Sequence, residues 1–418
     1  MRLLICISIL LLSTVSLAAK DQPLSREDIE KKRWNQIHNL IEQEIATINQ
    51  SRRKNQKILY RLFELKSEKI KLYKEKENNA FMAKKLRHGK RIKRKDIFKK
   101  TIKLYKDANK FGHSLLRRFP HTKYKAAIYY TLALNSRDFA YDNKELSYLR
   151  DAIKFSKGQN KVNYLARTSL GEYYYNNKKW KAAIYQYEIV LKNADDEWYT
   201  KNLLNFGWCL LKSKRFNEAI NSLEKSYQLG GDDFYVDVRD QAITGLVSFY
   251  VLGKQINRGV KFIDKYSINK NQALLKLARK ASNKGYYEDT QKIVKTLEKR
   301  IQPKVQTELY ADLRLFQFEL YKQYHKSKKL IKIAHLFPKV KFNDYQREDA
   351  IRKISDIVGA KQVILKKDYS KFDQNYDKSS LSQIITYFNI LAAIDPKEKA
   401  LYEFYKAETY YSVERLRD

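Results

Sequence analysis

The residues of this 418-residue chain that could do acid–base chemistry are clustered acids. Asp195-Asp196-Glu197 and Asp232-Asp233 each place carboxylates side by side, and two carboxylates can act as a general acid and a general base. Both clusters fall where one helical segment gives way to the next, and helix N-termini favour acidic and capping residues. We therefore interpret them as structural residues and predict no catalytic residue and no enzymatic activity.

Metal and cofactor chemistry is not predicted either. A helical two-histidine metal site needs ligands within four positions of each other, and no two histidines of this chain are that close. Gly230-Gly231 is the one adjacent glycine pair, and it belongs to no phosphate-binding motif. The six histidines are His38, His88, His113, His121, His325 and His335.

Residues 1–18 have the pattern of a secretory signal peptide. Arg2 precedes an apolar run from Leu3 to Leu12, and the small residues Ser16 and Ala18 favour cleavage after position 18. The run is shorter than the roughly 20 residues of a membrane-spanning helix. We expect an exported protein that is periplasmic or secreted and soluble after signal cleavage.

Removal of this segment would leave a single cysteine. Cys6 lies in the apolar run, so Cys209 would be the only thiol of the mature chain and no intrachain disulfide could form. Cys209 is flanked by Trp208 and Leu210, and such a cysteine is typically a small buried apolar residue.

Composition favours helices over turn-rich β folds. The chain has 12 glycines and 5 prolines, about 4% of its residues, where roughly 12% is usual. Hydrophobic residues make up 43%, enough for a core, and the formal net charge is +38. These values predict an ordered, basic, all-α protein.

Two adjacent segments repeat the same pattern at an offset of 207 − 171 = 36 residues. Small Gly and Ala residues stand where antiparallel helices would approach closely, and larger residues would fill the space between hairpins. The first copy consists of Leu170, Gly171, Tyr174, Ala183 and Tyr187, and the second of Phe206, Gly207, Leu210, Ala219 and Leu223.

This pattern resembles the tetratricopeptide repeat (TPR) family. The ending Phe119-Pro120-His121-Thr122 is similar to unit endings in the exported bacterial envelope type of that family. The resemblance implies a right-handed α-solenoid of stacked helix-turn-helix repeats over 101–418, clearest at 164–230. Preceding it, an apolar stripe from Ile37 to Ile48 predicts long N-terminal helices over 19–83, as a helical pair or a short coiled coil.

The resemblance also implies a concave groove lined by the first helix of each hairpin. Basic and aromatic residues in that groove would suit an acidic or extended peptide. The same aromatic residues could instead be packing between repeats. The groove positions implied are Glu172, Tyr175, Asn176, Lys201, Trp208, Lys212, Arg239 and Tyr250.

Positive charge concentrates in residues 84–100, where ten Lys and Arg stand against Asp96, a net of 10 − 1 = +9. Such a run repels itself and predicts a basic loop or a frayed helix start. It could attract anionic lipid or cell-wall surfaces, bind nucleic acid, or reflect composition alone. The basic patch consists of Lys84, Lys85, Arg87, Lys90, Arg91, Lys93, Arg94, Lys95, Lys99 and Lys100.

Together these patterns predict a non-enzymatic scaffold or adaptor of the bacterial cell envelope that binds a protein segment in a TPR groove. Protein partners of the envelope, and anionic envelope surfaces, are the expected ligands. The alternative is a polyanion- or nucleic-acid-binding helical repeat protein, which the export pattern disfavours.

Overall fold

The computed structural model describes residues 26–52, 54–88, 97–137, 142–156, 161–193, 195–369 and 378–414. Within these residues every regular element is helical and there is no β-strand, so the predicted all-α fold class is confirmed. The predicted signal peptide, residues 1–18, lies outside the described residues. The chain divides into two compact units, Met1–Asn177 and Lys178–Asp418.

The first unit begins with two long helices that pack against each other along an apolar seam. Ile41, Leu65 and Leu72 are buried in this seam, and the Trp34 indole N–H donates to the backbone carbonyl of Leu72 at 3.1 Å. The unit contains α1 (Arg26–Gln50), α2 (Gln56–His88), α3 (Lys99–Arg118), α4 (Lys125–Arg137), α5 (Asp142–Phe155) and α6 (Lys161–Asn176).

The basic segment differs in part from the predicted loop over 84–100. Residues 84–88 continue α2 to its end, and Lys99 and Lys100 form the first turn of α3. Lysine and arginine have good intrinsic helix propensity, so a run of charge does not by itself end a helix. Residues 89–96, which include Lys90, Arg91, Lys93, Arg94 and Lys95, lie outside the described residues.

The second unit is a series of helices in which chain neighbours pack as antiparallel pairs. The helices are α7 (Trp180–Val190), α8 (Tyr199–Lys212), α9 (Phe216–Leu229), α10 (Arg239–Leu252), α11 (Ile256–Tyr266), α12 (Lys270–Asn283), α13 (Tyr287–Arg300), α14 (Thr307–Gln323), α15 (Ser327–Ala334), α16 (Asp344–Tyr369), α17 (Lys378–Ile394) and α18 (Lys399–Glu414). The first helices of successive hairpins also contact each other, α8 with α10, α10 with α12, and α12 with α14. This side-by-side stacking of hairpins is the arrangement of an α-solenoid.

The turns inside these hairpins share one geometry. Lys214, Lys254, Gly285 and His325 each adopt a left-handed backbone conformation, with φ between 53° and 85°. In each case the next residue donates its N–H to the carbonyl five positions back, for example Gln255 to Tyr250 at 2.7 Å. This is the Schellman ending of a helix, and it fixes where the second helix of each of these four hairpins begins.

Leu223 of α9 lies at a point of close packing between helices of the unit. A Cβ atom added to Gly207 of α8 would lie 2.1 Å from its Cδ1, and one added to Gly245 of α10 would lie 2.8 Å from its Cδ2. Leu223 is completely buried, as is Ala219 one turn earlier. The small and large positions of the second repeat copy therefore meet as the sequence pattern predicted.

We expect Gly207→Ala to lower the free energy of unfolding by about 1–3 kcal/mol, because the added methyl group overlaps Leu223. Gly359→Ala is the matched control, since Gly359 lies in α16 with no atom within 4 Å of the added Cβ. That change should stabilise the helix by about 0.5–1 kcal/mol. Urea unfolding followed by circular dichroism measures the free energy of unfolding of both variants. Equal changes in the two would contradict the close approach of Gly207 to Leu223.

Candidate functional site

A continuous cleft runs across the first turns of three successive first helices in the second unit. It consists of two adjoining cavities, of about 980 and 600 Å³, which share Ile268, Asn269 and Gln272. Residues within 237–247, 264–276 and 300–312 line it, together with Tyr227. Hereafter "the cleft" means this surface.

The helix starts place the polar side chains of the cleft. Asn269 and Gln306 are the residues immediately before α12 and α14, and neither caps its helix with its side chain. The Asn271 amide donates to Gln306 Oε1 at 3.3 Å, which joins the two helix starts. The Ile268 backbone N–H donates to the Tyr227 hydroxyl at 3.2 Å, so the segment that enters α12 is held against α9.

Charges in the cleft nearly balance. Four basic residues and five acidic residues line it, a net of 4 − 5 = −1. Arg239 pairs with Asp237 at 2.7 Å and Arg300 pairs with Asp264 at 2.5 Å. The hydrogen bond from the Arg239 side chain lowers the pKa of the Asp237 carboxyl. The excess of basic residues that gives the chain its formal charge of +38 therefore lies outside this cleft.

Of the groove residues predicted from the repeat pattern, Arg239 lines the cleft. Tyr250 was wrongly predicted as a groove residue. Its side chain is fully buried, and its hydroxyl donates to Glu224 Oε1 at 2.7 Å. Arg258 Nε donates to the same carboxylate oxygen at 2.9 Å, so Tyr250 belongs to a polar cluster that joins α9, α10 and α11.

The other predicted groove positions in the second unit do not line the cleft. Trp208 is half-buried and its ring meets the buried Phe249 edge-on, with centroids 4.9 Å apart. Lys201 lies with its ammonium 5.0 Å from the Trp198 ring centroid, and Lys212 is exposed at the end of α8. Trp208 is therefore packing between α8 and α10.

The predicted positions in the first unit lie at the end of α6. Tyr175 is half-buried and Asn176 is exposed. Glu172 accepts a hydrogen bond from the Arg137 guanidinium at 3.1 Å, and the same guanidinium bonds to the buried Glu145 at 2.7 Å. Glu172 is thus a member of an ion-pair network that joins α4, α5 and α6, rather than a free ligand-binding acid.

The described part of the basic patch lies at two helix ends. Lys84, Lys85 and Arg87 belong to the last turns of α2, and Lys99 is exposed at the start of α3. Lys100 lies with its ammonium 4.3 Å from the centroid of the Tyr73 ring, so it also contributes to packing.

Residues that could support metal or thiol chemistry do not come together in the described part of the chain. No group of three or more His, Cys, Asp or Glu residues there could hold a metal ion. Cys209 is buried, as predicted, and burial raises the pKa of its thiol to about 12. None of the described helices has the length and apolarity needed to cross a bilayer.

Comparison with known proteins adds little to this picture. No family model and no curated protein matches the chain. A tetratricopeptide repeat protein from Parabacteroides merdae is 12% identical, with a TM-score of 0.35 over 59% of this chain and 91% of that one. PilF from Pseudomonas aeruginosa is 15% identical, with a TM-score of 0.31 over 53% of this chain and 94% of that one. Because both scores are low, the assignment to the class of all-α helical-repeat proteins rests on the chain's own helices and turns.

The corrected position of Tyr250 has a measurable consequence. Tyr250→Phe removes the hydroxyl that donates to the Glu224 carboxylate, which should lower the free energy of unfolding by about 1.5–3 kcal/mol. Tyr266→Phe on α11 is the control, since that ring is 38% exposed, and its effect should stay within about 0.5 kcal/mol. Urea unfolding of both variants measures the difference. An unchanged free energy of unfolding in Tyr250→Phe would contradict the buried hydrogen bond between Tyr250 and Glu224.

Proposed function

We propose that this chain is an exported, non-enzymatic scaffold that binds a protein segment in the cleft of its second unit. The observation that carries the proposal is the course of the cleft across α10, α12 and α14. A surface shared by three successive hairpins suits a ligand that spans several residues. Two cavities of about 980 and 600 Å³ together exceed the 300–1,000 Å³ that small-molecule sites usually occupy.

Export to the bacterial envelope is supported by the sequence pattern of residues 1–18. The single cysteine expected after cleavage suits an oxidising compartment, because no unwanted intrachain disulfide can form there. Since Cys209 is also buried, it is protected from pairing with other molecules. A periplasmic adaptor that holds envelope proteins together is the role we propose.

Attraction to anionic envelope surfaces is a second part of the proposal, and it is supported by the net charge of +9 over residues 84–100. Anionic lipid attracts polybasic segments by about 1 kcal/mol for each Lys or Arg near the surface. The alternative ligand, a polyanion such as nucleic acid, would need this same segment. The cleft, with its net charge of −1, offers such a ligand no counter-charge.

Site-specific photo-crosslinking tests the binding role of the cleft. Gln272 and Asn283 are both exposed and lie at opposite ends of α12, and Gln272 alone of the two lines the cleft. With p-benzoylphenylalanine at Gln272, irradiated cells of the source organism should yield discrete protein adducts in the envelope fraction. The same group at Asn283 should yield none of them.

Two readouts complete this experiment. N-terminal sequencing of the recovered protein should show a mature chain that begins near Ala19, and an intact Met1 would contradict export. Identical adducts from positions 272 and 283, or no protein adduct from 272, would contradict binding in the cleft.

Vesicle sedimentation tests the anionic-surface role. Replacing five basic residues of the patch by Glu should reduce binding to vesicles with 30% anionic phospholipid by about tenfold or more. A control that reverses five exposed lysines of the second unit changes the net charge by the same amount and should bind nearly as well as the parent. Equal losses in the two variants would show that binding follows net charge alone. The patch variant alters Lys90, Arg91, Lys93, Arg94 and Lys95, and the control alters Lys261, Lys265, Lys284, Lys295 and Lys299.

A further inference from the structure

We infer that the cleft takes an extended, non-acidic polypeptide segment with two apolar side chains three residues apart. The main chain of that segment would be held by the carboxamides of the cleft. This inference rests on the proposed function, because it names the ligand class of the same site. Of the acidic or extended peptide that the resemblance implied, it keeps the extended one and rejects the acidic one.

Two apolar side chains stand exposed in the cleft at matching positions of successive hairpins. Ile268 is 69% exposed and Val305 is 75% exposed, and each directly precedes the N-cap residue of its helix, Asn269 for α12 and Gln306 for α14. Single exposed apolar residues are common on surfaces. Ile268 and Val305, however, occupy the same position relative to their helices and line the same cavity, so one ligand could cover both.

The backbone at both positions is fixed by hydrogen bonds. Ile268 N–H donates to the Tyr227 hydroxyl at 3.2 Å, and Val305 N–H donates to the carbonyl of Gln302 at 3.1 Å. The backbone that carries the two side chains is therefore held in place before a ligand arrives. Pre-organisation of this kind lowers the entropic cost of binding.

The stacking of the hairpins sets the spacing that the ligand must match. Helices that pack side by side, as α12 and α14 do, have axes about 8–10 Å apart. A chain in the polyproline II conformation rises about 3.1 Å per residue with three residues per turn, so residues i and i+3 share one face about 9 Å apart. A segment in this conformation could place one apolar side chain against Ile268 and the next against Val305.

The carboxamides of the cleft suit the main chain of such a segment. A polyproline II segment makes no internal hydrogen bonds, so its N–H and C=O groups are free. A Gln or Asn side chain carries both a donor and an acceptor and can bond to both groups. Gln241, Asn269 and Gln272 line the cleft, and within the described residues their side chains have no hydrogen-bond partner.

Charge argues against an acidic ligand. After the two ion pairs are set aside, the acids Asp240, Glu308 and Asp312 remain against Lys270 and Lys276. This balance gives no net attraction to carboxylates or phosphates, although the chain as a whole is strongly basic. Selection in the cleft would thus depend on apolar contacts and main-chain hydrogen bonds.

Fluorescence anisotropy with nine-residue peptides tests the inference on the full-length mature chain. The probe peptide carries Leu at positions 3 and 6 in a background of Ser, Gln and Ala. Peptides with the two Leu residues two or four positions apart, and a peptide with two of the background residues changed to Glu, are compared with it. We expect the i, i+3 peptide to bind about tenfold more tightly than each of these, since one well-placed apolar side chain is worth about that factor.

Surface variants separate this ligand class from the proposed function itself. The double variant Ile268→Ser, Val305→Ser should weaken binding of the probe peptide by tenfold or more, and Gln272→Ala by about threefold. Val363→Ser is the control, because Val363 is 54% exposed on α16 and does not line the cleft. All four positions are exposed, so urea midpoints should match the parent.

Three results would overturn the inference: equal affinity at every spacing, preference for the Glu peptide, or binding that the double variant leaves unchanged. Absence of binding by every peptide would overturn it too. The proposed function is judged separately by the adducts formed at position 272. Protein adducts there together with any of these results would keep the scaffold role and reject this ligand class.

Discussion

The arrangement of the second unit depends on how closely its helices approach at Leu223. Because Gly207 and Gly245 have no side chain, α8 and α10 both come within contact distance of this one leucine of α9. A helix pair held this tightly has little freedom to rotate or slide. The first helices of successive hairpins are therefore aligned side by side, and the cleft exists because their N-terminal turns reach the same edge.

The sequence predicted the close approach of Gly207 and Leu223, because these residues occupy the same positions as in the preceding repeat. Gly207, Ala219 and Leu223 were recognised from the copy one repeat earlier. Farther along the chain the repeat is harder to detect, because the hairpin turns at Lys214, Lys254, Gly285 and His325 are separated by 40, 31 and 40 residues. Gly285 is the one glycine among these left-handed positions, so three of the four turns carry no glycine signal.

The cleft itself could not be predicted in the same way. Groove residues were assigned by helix position, which fails for α10, since most of its last two turns is buried and Tyr250 faces the core. Ile268 and Val305 lie in the connections between hairpins, whose lengths vary, so no repeat register locates them. The sequence shows Ile268 as the one apolar residue of the connection 267–269, but the connection 301–306 contains Ile301 and Pro303 as well as Val305. Val305 is distinguished from Ile301 only in the structure, where Ile301 is buried and Val305 is exposed.

The charge of the whole chain and the charge of the cleft favour different ligands. At long range a chain with a net charge of +38 repels basic ligands and attracts acidic ones, but salt limits this effect to roughly 8 Å at physiological ionic strength. Within the cleft the net charge is −1, so an acidic segment that has been attracted finds no surplus of partners there. A basic segment meets repulsion on approach and gains little on arrival. A neutral segment escapes both costs, and the apolar pair with its neighbouring carboxamides offers it apolar contacts and main-chain hydrogen bonds.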